Sequence, residues 1–191
     1  GIINIYTKSP LRYEGTTIGA SLGSYMQQNY NVSHYQKLGE KFGIAISGNY
    51  NQTDGFFTNQ YTGEKADDSQ SGSARIRLEW QPKEQLSFGL TSTYDRLNQG
   101  GYPYAVCDPE TLRPGEVNYN DYSFYKRSMS TTGLSVKWNG KGYSIQNQMA
   151  FQTISDHQGI DQDFTPKSTY FARQDMKQKM FSEEFNIKST T

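Results

Sequence analysis

Apolar and polar residues alternate along most of this chain, in segments about 10–13 residues long. Residues 73–80 are the clearest example. One side of this segment is apolar and the other is polar, with Ala74, Ile76, Leu78 and Trp80 against Ser73, Arg75, Arg77 and Glu79. A period of two residues is that of a β-strand with one apolar and one polar face. The pattern therefore predicts an all-β protein.

Eight such segments follow one another, and short and long connections alternate between them. We predict strands over residues 14–25, 27–37, 42–53, 73–80, 86–94, 127–138, 143–154 and 178–189. Short turns are expected near residues 25–27, 38–41, 81–85 and 139–142. Long polar loops are expected near residues 54–70, 97–126 and 156–176. Consecutive connections of a meander lie at opposite ends of the sheet, so the three loops should share one end.

The length of these strands separates two possible architectures. Strands of globular proteins peak near 5–6 residues, whereas a tilted strand that crosses a bilayer needs about 9–11. Short turns at one end and long loops at the other are typical of bacterial outer-membrane barrels. Alternation of faces alone fits a soluble β-sandwich equally well. Strand length and loop asymmetry favour an antiparallel meander that forms part of a transmembrane β-barrel.

The composition excludes several classes of protein. Only 34% of the 191 residues are hydrophobic, but 15 Tyr, 10 Phe and 2 Trp are too many aromatic residues for a disordered chain. The 19 basic and 19 acidic residues balance, so the sequence offers no basic stripe for nucleic acid. Neither a transmembrane helix nor a signal peptide is recognisable. A single cysteine, Cys107, excludes a disulfide framework within the chain, and whether it pairs elsewhere stays open.

The first residues, GIINIYTKSP, alternate like a strand and end at a breaker formed by Lys8, Ser9 and Pro10. This stretch resembles the end of the plug domain of TonB-dependent outer-membrane receptors. The matching residues are Gly1, Ile3, Asn4, Ile5, Thr7 and Lys8. The hairpins that follow, up to the Asp54-Gly55-Phe56 stretch and then over 74–95, are similar to the first barrel strands of that family.

The resemblance implies a domain organisation and a function. Residues 1–13 would be the end of a plug and its linker, and residues 14–191 about eight strands of an incomplete barrel. The intact protein would lie in the bacterial outer membrane, contact lipid, and import a scarce cargo through the TonB complex, which would act on a missing N-terminal region. Iron–siderophore complexes, haem, cobalamin-like compounds and oligosaccharides are the cargo classes implied. The alternatives are a passive porin, which lacks the plug strand, and a soluble β-sandwich that binds a ligand.

Aromatic residues in the first two long loops are candidates for cargo binding, because rigid rings offer contact area at low entropic cost. The candidates are Phe56, Phe57, Tyr61, Tyr102, Tyr104, Tyr119 and Tyr122. The alternative is that these rings pack the loops together. In either case, deleting residues 100–122 is expected to weaken capture of the cargo without unfolding the sheet.

Two further groups of residues follow from the face assignment. Arg75, Arg77 and Glu79 are predicted to face the lumen, where they would contact the plug or the cargo route, or be hydrated and form ordinary ion pairs. Four aromatic residues at the short-turn end are predicted to face lipid at one height, as part of an interfacial girdle: Phe42, Trp80, Trp138 and Tyr143.

The sequence contains no motif that indicates catalysis, so no enzyme activity, catalytic residue or cofactor is expected. Asp156, His157, Asp161 and Asp163 form an acidic group that we assign to the third long loop. Their spacing is not that of a calcium-binding loop, so no metal site is predicted. His34 is expected on a strand without a special role.

Overall fold

A computed structural model describes residues 7–189 of the chain. Eight strands follow one another: β1 (Gly15–Leu22), β2 (Gln28–Lys37), β3 (Phe42–Thr53), β4 (Ser69–Lys83), β5 (Leu86–Gly100), β6 (Phe124–Asn139), β7 (Tyr143–Asp161) and β8 (Phe171–Ser189). They form one sheet in the order of the sequence, and each neighbouring pair is antiparallel. The prediction of an all-β antiparallel meander is confirmed, and the sheet is consistent with part of a barrel wall.

One sequence prediction falls on residues that the structure does not describe. The plug-like strand predicted at residues 1–6 lies outside the described residues. The part of the chain that the structure describes contains no helix with the length and apolar character of a membrane span.

The short connections all lie at one end of the sheet, which we call the turn end, with one exception. They span residues 38–41, 84–85 and 140–142, and Gly39 and Gly142 adopt positive φ angles of 82° and 79° there. The exception is the turn at residues 23–27 between β1 and β2, which lies at the opposite end. In that turn Tyr25 and Met26 take positive φ angles without being glycine. All four predicted turns are present.

The long connections lie at the other end, which we call the loop end. Loop 1 (residues 54–68) joins β3 to β4, loop 2 (residues 101–123) joins β5 to β6, and loop 3 (residues 162–170) joins β7 to β8. Loop 3 is much shorter than the predicted range of 156–176, because β7 and β8 continue to Asp161 and from Phe171. The continuation has polar residues on both faces, so it carries no apolar alternation that the sequence could reveal.

The register aligns most of the apolar strand positions on one face of the sheet. Ile18 pairs with Val32, Ile46 with Ile76, Leu90 with Leu134, and Phe151 with Phe181. Directly paired residues point to the same side of an antiparallel sheet. We call this surface the apolar face and the opposite one the polar face.

The apolar residues form a belt of limited height on this face, which we call the apolar band. On β7 the band runs from Tyr143 to Phe151, nine residues or about 27 Å along the strand. On β4 to β8 its members are Ala74, Ile76, Leu78, Trp80, Leu86, Phe88, Leu90, Leu134, Val136, Trp138, Tyr143, Ile145, Met149, Phe151, Phe181, Phe185 and Ile187. Many are exposed, and Ile187 and Phe181 are each 64% exposed. The band matches the height of an outward apolar belt on a membrane barrel.

One polar pair interrupts the apolar band near its centre. Asn147 and Glu183 lie on the apolar face, and the Asn147 Nδ2 atom donates to Glu183 Oε1 at 2.8 Å. The bond satisfies one carboxylate oxygen and so lowers the cost of carrying a charge on this face.

Candidate functional site: the loop end and the polar face

The three long loops pack against one another, and together we call them the loop layer. Most buried side chains of residues 7–189 are found here or beside it, and the exceptions are Pro10 and Ala45. A small cluster of Ala66, Val117 and Tyr119 forms its apolar centre. Asn59, Ser123 and Asp161 are its buried polar members.

Asn59 fastens loop 1 to loop 2. Its Nδ2 atom donates to the carbonyl of Tyr119 at 2.8 Å, while its Oδ1 accepts from the backbone N–H of Tyr119 at 3.2 Å. The same Oδ1 accepts from the N–H of Tyr61 at 3.1 Å, which also holds the turn within loop 1. A backbone bond from Gln60 N–H to Val117 O, at 2.8 Å, adds to the contact. The side chain of Asn59 thus binds both the N–H and the carbonyl group of Tyr119 in loop 2.

Asp161, at the end of β7, fastens loop 2 to loop 3. It is 1% exposed, and its two carboxylate oxygens accept from the N–H groups of Asp121 at 3.1 Å and Phe164 at 2.8 Å. Its own N–H donates to the hydroxyl of Ser123 at 2.9 Å. Ser168 in loop 3 donates to Asp121 Oδ2 at 2.9 Å. The buried carboxylate is satisfied by backbone donors, as a buried charge must be.

The interior of the loop layer changes the acidity of two groups. Burial raises the pKa of the Tyr119 phenol, and the nearby Asp161 carboxylate raises it further. Burial also raises the pKa of Asp68, with smaller contributions from acidic neighbours that include Asp67.

A small cavity of about 70 Å³ lies in the same place and is lined by residues that include Asp68, Asn120 and Asp121. The Oδ1 atom of Asn120 is buried without a hydrogen-bond partner in the described part of the protein. A polar cavity of this size suits one or two water molecules. Among residues 7–189, no three His, Cys, Asp or Glu side chains converge to hold a metal ion.

Loop 3 is organised around the carboxylate of Asp163. Its Oδ1 accepts from the hydroxyl of Thr165 at 2.6 Å, and its Oδ2 accepts from the N–H groups of Thr169 and Tyr170 at 2.9 and 3.0 Å. The hydroxyl of Thr165 contributes most to lowering the pKa of Asp163 to about 2, and the backbone donors add to it.

The acidic group assigned to the third loop is therefore divided by the structure. Asp156, His157 and Asp161 lie on β7, and only Asp163 is in loop 3. The assignment to one loop was wrong because no pattern in residues 155–161 indicates that β7 continues. His34 lies on β2, as expected, within 2.8 Å of the Thr16 hydroxyl.

Six of the seven aromatic candidates lie at or near the surface of the loop layer. Phe56, Phe57, Tyr61, Tyr104 and Tyr122 are each about half exposed or more, and Tyr102 is partly exposed. Tyr119 is different. It is only 4% exposed, and stacking of its ring on a cargo would require the loops to separate.

The aromatic candidates form several separate ring contacts rather than one continuous aromatic surface. Tyr102 stacks on Tyr104 with ring centres 5.6 Å apart, and Tyr104 meets Phe164 of loop 3 edge-on at 5.2 Å. Phe56 meets Tyr25 edge-on at 4.8 Å. Neither Tyr25 nor Phe164 is among the candidates predicted from the sequence. Both take positive φ angles, which nothing in their residue types indicates.

The projecting part of loop 2 is a narrow hairpin closed by a bridge between Cys107 and Pro114. Asp108 Oδ1 accepts from the N–H groups of Glu110 and Thr111 at 2.8 and 3.0 Å, which stabilises the tip. Backbone bonds from these residues lower the pKa of Asp108, with Thr111 first. Cys107 is exposed, and its pairing stays open.

Arg75, Arg77 and Glu79 all lie on the polar face of β4. Arg77 forms an ion pair with Glu79. The same two side chains also hold the chain that precedes β1, since Ser9 bonds to Glu79 and Arg77 bonds to Thr7. The polar face therefore carries a segment of polypeptide, residues 7–13, which we call the seated segment.

The seated segment fits closely over β3. Pro10 is almost fully buried, and Ala45 beneath it is 7% exposed. A Cβ atom on Gly43 would lie 2.7 Å from both the carbonyl carbon and the oxygen of Pro10, so only glycine allows this approach. Tyr13 continues the contact to β2 by meeting Tyr35 edge-on at 5.2 Å.

Beside the seated segment the polar face forms a continuous groove. The nearer part, about 330 Å³, is polar and includes Arg77, Glu79 and Lys137. The farther part, about 530 Å³, has a floor of small residues such as Gly89, Gly133 and Ala150.

The four residues of the predicted girdle lie on the apolar face at the turn end. Phe42 and Trp80 are directly opposite each other. Trp80 stacks on Phe88 at 5.2 Å, and Trp138 meets Tyr143 edge-on at 5.7 Å. Trp138 is opposite Leu86, two residues nearer the turns than Phe88. Contact of these rings with lipid stays a prediction.

A scan of protein-family models found none that matches this chain.

Proposed function

We propose that this chain belongs to the wall of an outer-membrane barrel whose intact form captures a scarce solute at the loop end and imports it under TonB control. The apolar face would contact lipid, and the polar face would line the lumen. The cargo classes are those implied by the sequence resemblance.

The observation that carries the proposal is the seated segment. The chain before β1 lies on the polar face, across β2 to β4, held by the Arg77–Glu79 pair and by the fit of Pro10 over Gly43. A plugged barrel needs polypeptide inside its lumen, whereas a passive porin needs an open one. The groove beside the segment leaves room on the same face for more of such a plug.

The apolar band supports the membrane part of the proposal. An exposed apolar surface that continues over eight strands is far larger than soluble proteins tolerate. Its height of about nine residues on β7 is that of a strand crossing a bilayer. A soluble sandwich would instead cover such a face with a second sheet.

The loop layer supports the capture step. Exposed rings of Tyr104 and Tyr122 are held on loops that Asn59 and Asp161 fasten together. Because the loops are interlocked, deleting residues 100–122 would also remove partners of loops 1 and 3. We therefore expect capture to fail as a whole, while the ladders between strands remain.

Uptake with and without TonB tests the proposal. Cells that carry the intact protein would be supplied separately with radiolabelled ferric siderophores, haem, cobalamin and oligosaccharides, in matched strains with and without TonB. We expect one cargo class to enter only when TonB is present. Equal uptake in both strains would replace active import by passive diffusion through a porin.

A tether on the seated segment tests the observation itself. In a Cys107→Ser background, Ser9→Cys and Glu79→Cys would be joined by a short cleavable thiol crosslinker, since their side chains are in contact. We expect uptake to stop and to return on cleavage. A matched pair across β1 and β2, Thr16→Cys with His34→Cys, should leave uptake unchanged. Normal uptake with the tethered segment would show that it does not move.

A further inference from the structure

Between the apolar band and the loop end, on the same face of β5 to β8, a group of basic side chains surrounds a floor of hydroxyl groups. The floor is formed by two directly paired positions, Ser130 with Thr153 and Ser128 with Ser155. Four exposed basic residues lie around this floor: Arg96, Lys126, Lys177 and Lys179. We call these four residues and the floor together the cationic patch. The register fixes their positions, since Arg96 is opposite Ser128, Lys177 opposite Ser155 and Lys179 opposite Thr153.

The charge of the patch is not balanced by acids on its own face. The exposed acids there are Asp175, which is already engaged by His157 at 2.7 Å and by Arg173 at 3.4 Å, and Glu183, which lies inside the apolar band and accepts from Asn147 at 2.8 Å. On the polar face of the same strands, in contrast, Arg127 is directly opposite Asp156. The excess of positive charge is therefore specific to the apolar side of the sheet.

The patch begins where the apolar band ends. Lys179 and Thr153 are the next outward-facing pair after Phe181 and Phe151, which is one step of about 7 Å along the strands. A bilayer that covers the band would bring its headgroups, rather than its acyl chains, to this height.

We propose that the cationic patch binds the phosphate groups of an anionic lipid headgroup in the leaflet nearest the loop end. Lysine and arginine would supply the charge, and the serine and threonine hydroxyls would donate to phosphate oxygens. The proposal rests on the membrane placement given under Proposed function, and it names a lipid partner that the import activity does not require.

Lipid binding by the purified intact protein tests this. The protein in dodecyl maltoside micelles would be titrated with dioleoyl phosphatidic acid, and bound lipid would be counted by native mass spectrometry. Lys177→Gln/Lys179→Gln should weaken binding about 25-fold, since each basic residue near a headgroup contributes about fivefold. The matched control is Lys137→Gln/Lys188→Gln, on the polar face of β6 and β8, which should bind like the parent protein.

Four outcomes would overturn the proposal. Equal binding by both double variants and the parent would show that the patch is not used, and equal losses in both would show unspecific attraction. Equal retention of dioleoylglycerol, which has the same chains without phosphate, would show that the headgroup is not recognised. Inorganic phosphate that displaces the lipid at micromolar concentration would reassign the patch to a free anion. Because the assay contains neither cargo nor TonB, TonB-independent uptake would remove the import function and leave this result unaffected.

Discussion

The wall of strands and the loop layer are stabilised in opposite ways. The wall depends on backbone ladders between neighbouring strands, and its side chains remain open on the apolar face and over much of the polar face. The loop layer has few backbone ladders, but it buries Asn59, Tyr119 and Asp161 and satisfies their polar atoms within the layer. The loops therefore carry their own core, whereas the apolar face of the wall has no cover of its own.

The largest expected effect tests what covers the apolar face. Leu134→Arg places a charge in the apolar band, and in lipid vesicles it should destabilise the intact protein by about 2–4 kcal/mol. Urea unfolding in vesicles measures this. The control Asn98→Arg lies on the same face beyond the band and should cost about 0–1 kcal/mol. Equal, small effects of both variants would indicate that the face contacts water.

The next effect tests whether the loop layer is a separate unit. Asn59→Ala leaves the peptide groups of Tyr119 without their partner and should destabilise the layer by about 2 kcal/mol. Hydrogen exchange should become faster at the Gln60 and Tyr119 amides, while the amide of Ile76 on β4 keeps its protection. Asn51→Ala, which removes only long side-chain contacts of 3.3 and 3.4 Å between strands, is the control. Faster exchange throughout the strands after Asn59→Ala would contradict the separation.

A smaller effect concerns the covered part of the polar face. Gly43→Val should displace the seated segment at a cost of about 1–3 kcal/mol, because its Cβ would overlap Pro10. Trypsin should then cleave after Lys8 and Arg12 more rapidly. Gly133→Val is the control, since its nearest neighbour would be Met149 O at 3.6 Å. Unchanged cleavage in Gly43→Val would mean that the segment is not held by this fit.

The smallest effect is a pH dependence within loop 3. The pKa of Asp163 is lowered to about 2 from 3.8, so its contribution is complete above pH 3.8 and is lost as the pH falls through about 2. The amide signals of Thr169 and Tyr170 should shift in that window in an NMR titration. Asp163→Asn should move these signals toward their acid form at neutral pH, because the amide carries no charge and its NH2 group cannot accept from Thr165 as Oδ1 does. Signals that stay fixed down to pH 1 would exclude the carboxylate as their partner.

The wall could be predicted from the sequence because the alternation that indicates each strand involves only neighbouring residues. Ala74, Ile76, Leu78 and Trp80 alternate with polar residues, and one apolar face is enough to fix both strand and register. The prediction failed where β7 runs beyond Ile154, because Ser155 and His157 on the apolar face are as polar as their neighbours.

The candidate site could be predicted only in outline. Loop aromatic residues such as Tyr104 and Tyr122 were identified from composition, but the burial of Tyr119 was not, because its partner Asn59 is sixty positions away. Nor did the sequence reveal that Gly43 accommodates Pro10, since a glycine in a strand also marks bulges and bends. Such contacts depend on the assembled sheet.

The long sequence separation of the Asn59–Tyr119 contact determines when it can form during folding. The hairpins of the wall join neighbouring segments, whereas this contact spans 60 residues and the bond from Asp121 to Asp161 spans 40. Closing such spans is entropically expensive until β4 to β7 have paired. We therefore expect the loop layer to assemble last, and the loop end to be the part that opens first when the protein fluctuates.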